Sequence, residues 1–179
     1  MNAAELEDLA LWLIRDADET SEMWLDRWQV SYPSSFLSQA SAMQTAAQWQ
    51  RLLQGDADRI NAQNIMVVAH GIGALAWLAW WYQSDILTQK RVRAVMLVSP
   101  PQAICQQEAF EVCSRVRLIN LPAALVVGQD DVLCPKSWAQ TQAQSWQMRL
   151  CEAPQSGHLN ESLHGWQWGM KLMQKMLLA

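Results

Sequence analysis

The chain of 179 residues is poor in tyrosine and phenylalanine, with two of each, and holds only seven glycines. Charged residues are also scarce, at 17% against 51% apolar residues. A disordered chain needs the reverse balance, so disorder is excluded. No run of Lys or Arg occurs, and the net charge is −4 with a pI near 5.3. A protein that tracks phosphates needs a basic stripe, so a nucleic-acid partner is not expected. The longest apolar stretch, Ile72 to Tyr82, falls well short of the roughly 20 residues a spanning helix requires. Membrane insertion is therefore not expected. Cys105, Cys113, Cys134 and Cys151 form no C-x-x-C pair and have no closely spaced histidine. They read as free thiols, and no metal or other cofactor is expected. Met1–Asp8 holds Glu5, Glu7 and Asp8 without Lys or Arg. That is unlike a secretory signal, so the cytoplasm is the expected compartment. With no repeat and no linker, residues 1–179 read as one domain.

What the chain does have is tryptophan, eleven residues, and glutamine, twenty. Short apolar runs alternate with longer helical patterns. Strands are expected at Leu9–Ile14, Ile65–Ala69, Ala94–Val98 and Ala123–Val127, with a weak one at Met148–Cys151. Trp28–Tyr32 reads as a further strand stopped by Pro33. Helices are expected at Gln44–Leu53, Gly73–Gln83, Pro135–Gln147 and Leu163–Leu178. Apolar almost all round, Gly73–Gln83 belongs inside the protein. The middle strands are continuous apolar runs, as in strands buried on both faces. The alternation predicts a three-layer α/β/α sandwich around a mainly parallel sheet. In such folds the chemistry sits beyond the carboxyl ends of the strands.

Three strand ends carry suggestive residues. Ala69-His70-Gly71-Ile72-Gly73 joins a buried strand to a buried helix. This is the setting of the G-x-S-x-G nucleophile elbow, with Ala69 and Gly73 as the flanking small residues and Gly71 at the centre. Asp131 follows a later strand, and His158 sits in a Gly-His turn after the last one. Nucleophile position, acid and histidine thus appear in the chain order of α/β-hydrolases. An acid so placed orients the imidazole and stabilises its protonated form.

These motifs resemble the YdeN-type small serine hydrolases, a compact α/β-hydrolase family that includes the retinoblastoma-binding serine hydrolase. That family carries a His-Ser-x-Gly elbow, an Asn/Asp-Asp-Pro acid loop, a Gly-His-Ile-Asn histidine loop and a later Trp. The corresponding residues are His70-Gly71-Ile72-Gly73, Asp130-Asp131-Val132, Gly157-His158-Leu159-Asn160 and Trp168. Trp24 and Trp28 match a W-x-x-x-W pattern after the first strand. The resemblance spans nearly the whole chain and implies a compact α/β-hydrolase fold. It puts Gly71 at the nucleophile position, with Asp131 and His158 as acid and base. It puts the oxyanion hole at the backbone of Ile72 and at the loop holding Asp16. There the family has a glycine, whereas this chain has Arg15-Asp16-Ala17-Asp18-Glu19. Three acids in five residues suit a developing oxyanion poorly.

The first functional reading is a non-catalytic pseudoenzyme that binds a small-molecule ligand or a protein partner. The alternative is an active carboxylesterase or amidase whose serine at position 71 was replaced by Gly. A third is an interaction module with an exposed Trp-rich patch. Asp131 and His158 read either as a retained functional pair or as a structural one. His70 is expected to pack or hydrogen-bond beneath the elbow, and His164 to lie on the surface. Trp77, Trp80 and Trp81 read as core, and Trp166 and Trp168 as anchors of the last helix. Cys134, near the acid loop, has no visible activating neighbour and is not assigned as a nucleophile.

Overall fold

A computed structural model describes residues 6–17, 21–40 and 45–178. Six strands form one sheet: β1 (Leu9–Ile14), β2 (Ser35–Ser38), β3 (Asn64–His70), β4 (Val92–Val98), β5 (Ala123–Gln129) and β6 (Arg149–Ser156). Their order is β2-β1-β3-β4-β5-β6, and every neighbouring pair is parallel. The helices are α1 (Trp24–Ser31), α2 (Ala46–Arg59), α3 (Ile72–Gln83), α4 (Ile86–Arg91), α5 (Gln102–Cys105), α6 (Lys136–Trp146) and α7 (Gln167–Leu178). A 3₁₀ segment spans Glu108–Arg115.

Two cores cover the two faces of the sheet. Successive strand residues point to opposite faces, so Trp12, Ile14, Val67 and Ala69 pack one way, against α2, α3 and α6. Leu13, Met66, Val68 and Met96 pack the other way, against α1 and α7. This is the expected three-layer α/β/α sandwich with a parallel sheet. The tryptophans fill these cores: Trp12, Trp24, Trp28, Trp49, Trp77, Trp80, Trp146 and Trp166 are fully buried, and Trp81, Trp138 and Trp168 are half-buried. With no exposed tryptophan, a Trp-rich surface patch is not what this fold presents. No helix among the described residues is long and apolar enough to cross a membrane.

The structure corrects several sequence expectations. Trp28–Tyr32 is not a strand, because Trp28 lies in α1. Trp24, Leu25 and Trp28 share one buried helical face, and the Asp26 carboxylate accepts from the Met23 N–H at 2.8 Å. The short edge strand β2 has no counterpart among the predicted elements. Helix α2 runs on to Arg59, and Gln44 lies outside the described residues. Strand β6 continues through Pro154 to Ser156, which the sheet tolerates because β6 is at its edge. The closing helix begins at Gln167 rather than Leu163. His164 and Trp166 are left-handed (φ 52° and 45°) and break the chain before it.

Candidate active site

The sheet register sets the ends of β1, β3 and β4 side by side: Ile14 pairs with Ala69, and His70 with Val98. At the end of β3 the chain turns sharply into α3 through Gly71, with φ 59° and ψ −130°. Glycine alone adopts this region without strain. The Gly71 N–H donates to Val98 O at 2.9 Å, which fixes the turn to β4. Gly73 is required by contact: a Cβ there would lie 2.5 Å from Arg15 O and 2.9 Å from Ile14 Cγ2. The start of α3 therefore rests on the end of β1.

That contact brings Asp16 over the elbow. A Cβ built on Gly71 would overlap the Asp16 carboxylate and lie 2.9 Å from Asp16 Cβ. The Asp16 side chain thus fills the space into which a side chain at position 71 would project. Arg15 anchors this loop, with Nη1 3.0 Å from Asp26 Oδ1 and Nη2 donating to Ser21 O at 2.9 Å. Asp18 and Glu19 lie outside the described residues.

His158 sits between two carboxylates. Its Nδ1 is 3.1 Å from Asp131 Oδ2, and its Nε2 is 3.7 Å from Asp16 Oδ2. Asp131 is held in place by the backbone N–H groups of Leu133 and Cys134, at 2.9 and 3.1 Å from Oδ1. Burial alone would lower the His158 pKa. The hydrogen bonds and charges of Asp131 and Asp16 overcome it and raise the value to about 9. Burial opposes ionisation of Asp131, but the His158 hydrogen bond and charge hold its carboxyl below the usual value. At neutral pH the site is an Asp–HisH⁺–Asp array.

His70 lies beneath the elbow, fully buried, as expected. Its Nε2 is 2.8 Å from the His158 carbonyl, and the two ring centroids are 4.9 Å apart. A carbonyl only accepts, so Nε2 carries the proton and donates. Burial, followed by the neighbouring His158 charge, lowers the His70 pKa to about 4, so the ring is neutral at pH 7.

Tryptophans position the histidine loop. Trp24 Nε1 donates to Leu159 O at 2.8 Å, and Trp28 Nε1 donates to Gly165 O at 2.7 Å. Trp166 packs on Trp24 with centroids 4.5 Å apart and donates to Gln155 Oε1 at 3.0 Å. His164 is exposed. Cys134 is buried, and burial together with the Asp131 charge pushes its thiol pKa up, the opposite of activation. The direct approach of Asp16 and His70 to His158 went unrecognised in the sequence, where the acidic cluster Arg15–Glu19 was the only signal.

Asp16, Ile72 and His158 line a cavity of about 370 Å³, together with Gln102, Val132 and Leu133. Ile72 is the first residue of α3, where backbone N–H groups have no intrahelical acceptor. A wider hollow of about 730 Å³ follows β6 and α7, lined by neither Asp131 nor His158. The smaller cavity brings apolar walls together with the Asp16 and His158 side chains, a convergence usual in a binding site.

A family model described as serine hydrolase matches residues 16–175. The chain belongs to the serine hydrolase family. Its fold is similar to that of a YdeN-like hydrolase from Pectobacterium atrosepticum, with TM-score 0.78 and 19% identity over 97% of this chain and 93% of that one. It is also similar to the ydeN gene product of B. subtilis, with TM-score 0.67 and 16% identity over 95% and 99% of the two chains. A monoacylglycerol lipase from Paleococcus ferrophilus gives TM-score 0.65 at 9% identity, covering 93% of each chain. No protein of curated function matches the sequence. These likenesses establish a YdeN-type α/β-hydrolase fold.

Proposed function

We propose that this serine hydrolase family member has no serine nucleophile and acts as a pseudoenzyme that binds a small ligand in the cavity beside His158. One observation carries the reading: the Asp16 carboxylate fills the space of a side chain at position 71 and faces His158 Nε2. A serine hydrolase needs a hydroxyl there, hydrogen-bonded to a neutral imidazole. Here the elbow residue has no side chain, and His158 is already charged and paired on both sides. A carboxylate seated over the elbow also opposes the negative charge that acyl transfer develops. The cavity, at about 370 Å³, lies in the usual range for small-molecule sites.

The alternative, an active esterase or amidase lacking only its serine, is disfavoured by the same geometry. With Asp16 where it is, any side chain at position 71 collides with it.

Activity-based labelling tests the proposal. The wild-type chain should take up no fluorophosphonate probe. Stoichiometric labelling that is lost in His158→Ala would overturn it and reveal an unrecognised nucleophile.

A further inference from the structure

Around the elbow Asp16, His158 and His70 form a second constellation. One carboxylate oxygen of Asp16 and one ring nitrogen each of His70 and His158 lie within 4.8 Å of one another. Two features set this group apart from an incidental cluster. First, each histidine uses one nitrogen on a group that can only accept a hydrogen bond: His158 Nδ1 on the Asp131 carboxylate and His70 Nε2 on the His158 carbonyl. The tautomers are thereby set, and the lone pairs are left on His158 Nε2 and His70 Nδ1 when the rings are neutral. Metal-binding histidines are oriented in this way, by a carboxylate or a backbone carbonyl on the far nitrogen. Second, His70 Nδ1 is buried and has no hydrogen-bond partner among the described residues. A buried lone pair without a partner is costly, and a cation would satisfy it.

We infer that Asp16, His70 and His158 form a binding site for one divalent transition-metal ion of the zinc type. Two nitrogens and one carboxylate oxygen suit zinc-type ions and not magnesium or calcium, which take oxygen ligands. The absence of a side chain at Gly71 is what lets the Asp16 carboxylate stand beside the two histidines. Ligand atoms around tetrahedral zinc lie ~3.3 Å apart, given bonds of about 2.0–2.1 Å. The His158–Asp16 pair, now at 3.7 Å, is already close to that spacing. Binding an ion replaces the proton between Asp16 and His158 and leaves Asp131 as the outer partner of His158. Asp16 and His158 also line the cavity, so the remaining coordination position faces it and is open to water or an anionic ligand.

The test uses the whole chain, stripped of metal with EDTA and dialysed. Zn²⁺ binding is measured by equilibrium dialysis at pH 7.5, and Co²⁺ binding by visible absorption. One ion per chain is expected, with cobalt d–d bands and no thiolate-to-cobalt charge-transfer band. Asp16→Asn and His158→Gln, checked for folding by circular dichroism, should each weaken Zn²⁺ binding by about 100-fold or more, at or beyond the top of the range for disturbing a metal's supporting shell. No stoichiometric ion at 100-fold excess Zn²⁺ would overturn the inference. So would a thiolate band, which would place the ion on the cysteines, or unchanged affinity in both folded variants. Fluorophosphonate labelling is a separate readout, so the two proposals fail independently.

Discussion

The carboxylate of Asp16 stands where a side chain on Gly71 would stand, 3.7 Å from the imidazole of His158. Two residues far apart in sequence therefore exclude each other's alternatives. With Asp16 in place, position 71 accepts only glycine, and with glycine at 71 the carboxylate reaches His158. The left-handed backbone at Gly71 (φ 59°) adds a second, independent demand for glycine.

Restoring the hydroxyl should not restore an esterase. Gly71→Ser must displace Asp16 and still faces a charged His158. Loss of one oxyanion donor alone costs about 10²–10³ in rate. Turnover of p-nitrophenyl acetate should stay close to background. A rate typical of a working esterase, abolished in Gly71→Ser/His158→Ala, would show instead that the site lacks one residue only.

Stability in EDTA should peak near pH 6.5. His158 is raised in the folded state to about 9, so its contribution is complete below pH 6.5 and is lost as pH rises towards 9. At 1.36 kcal/mol per pH unit, that limb amounts to about 3 kcal/mol. His70 is depressed to about 4, so its contribution is present above pH 6.5 and is lost as pH falls towards 4. Asp131, held below its usual value by His158, steepens the acid limb when it is protonated. Urea denaturation across pH 5–9 checks this, and His158→Gln should flatten the alkaline limb. A stability that rises between pH 6.5 and 9 would contradict the ion-pair assignment.

Trp24→Phe should loosen the histidine loop. It removes the indole N–H that bonds to Leu159 O at 2.8 Å and leaves a buried carbonyl unpaired. The expected cost is about 1–3 kcal/mol. Hydrogen exchange should show faster opening of residues 157–160, with the amides of β3 unaffected. Equal changes in both segments would mean that Trp24 serves the core and not the loop.

Strands buried on both faces were legible in the sequence, because Leu9–Ile14, Ile65–Ala69 and Ala94–Val98 are unbroken apolar runs. Edge strands were legible only in the first half of β6, at Met148–Cys151. In β2 two of the four residues are serine, and in β6 Pro154 hid the second half of the strand. Helix α1 was misread because Trp28–Tyr32 looks extended in isolation, while the buried stripe of Trp24, Leu25 and Trp28 begins earlier. At the site, the elbow, Asp131 and His158 follow from chain order. The seating of Asp16 on Gly71 does not, because it depends on how closely α3 approaches the end of β1. Gly73 sets that distance.

A double-mutant cycle between Gly71 and Asp16 tests the central relationship most directly. Gly71→Ala is compared in the wild-type and Asp16→Gly backgrounds by urea denaturation at pH 6.5. In the Asp16→Gly background only backbone strain remains, about 1–3 kcal/mol. In the wild type the same substitution must also expel the Asp16 carboxylate, so it should cost at least about 1 kcal/mol more, within the range found for residues in contact. An equal cost in both backgrounds would contradict the account, because Asp16 would then not occupy the space beside Gly71.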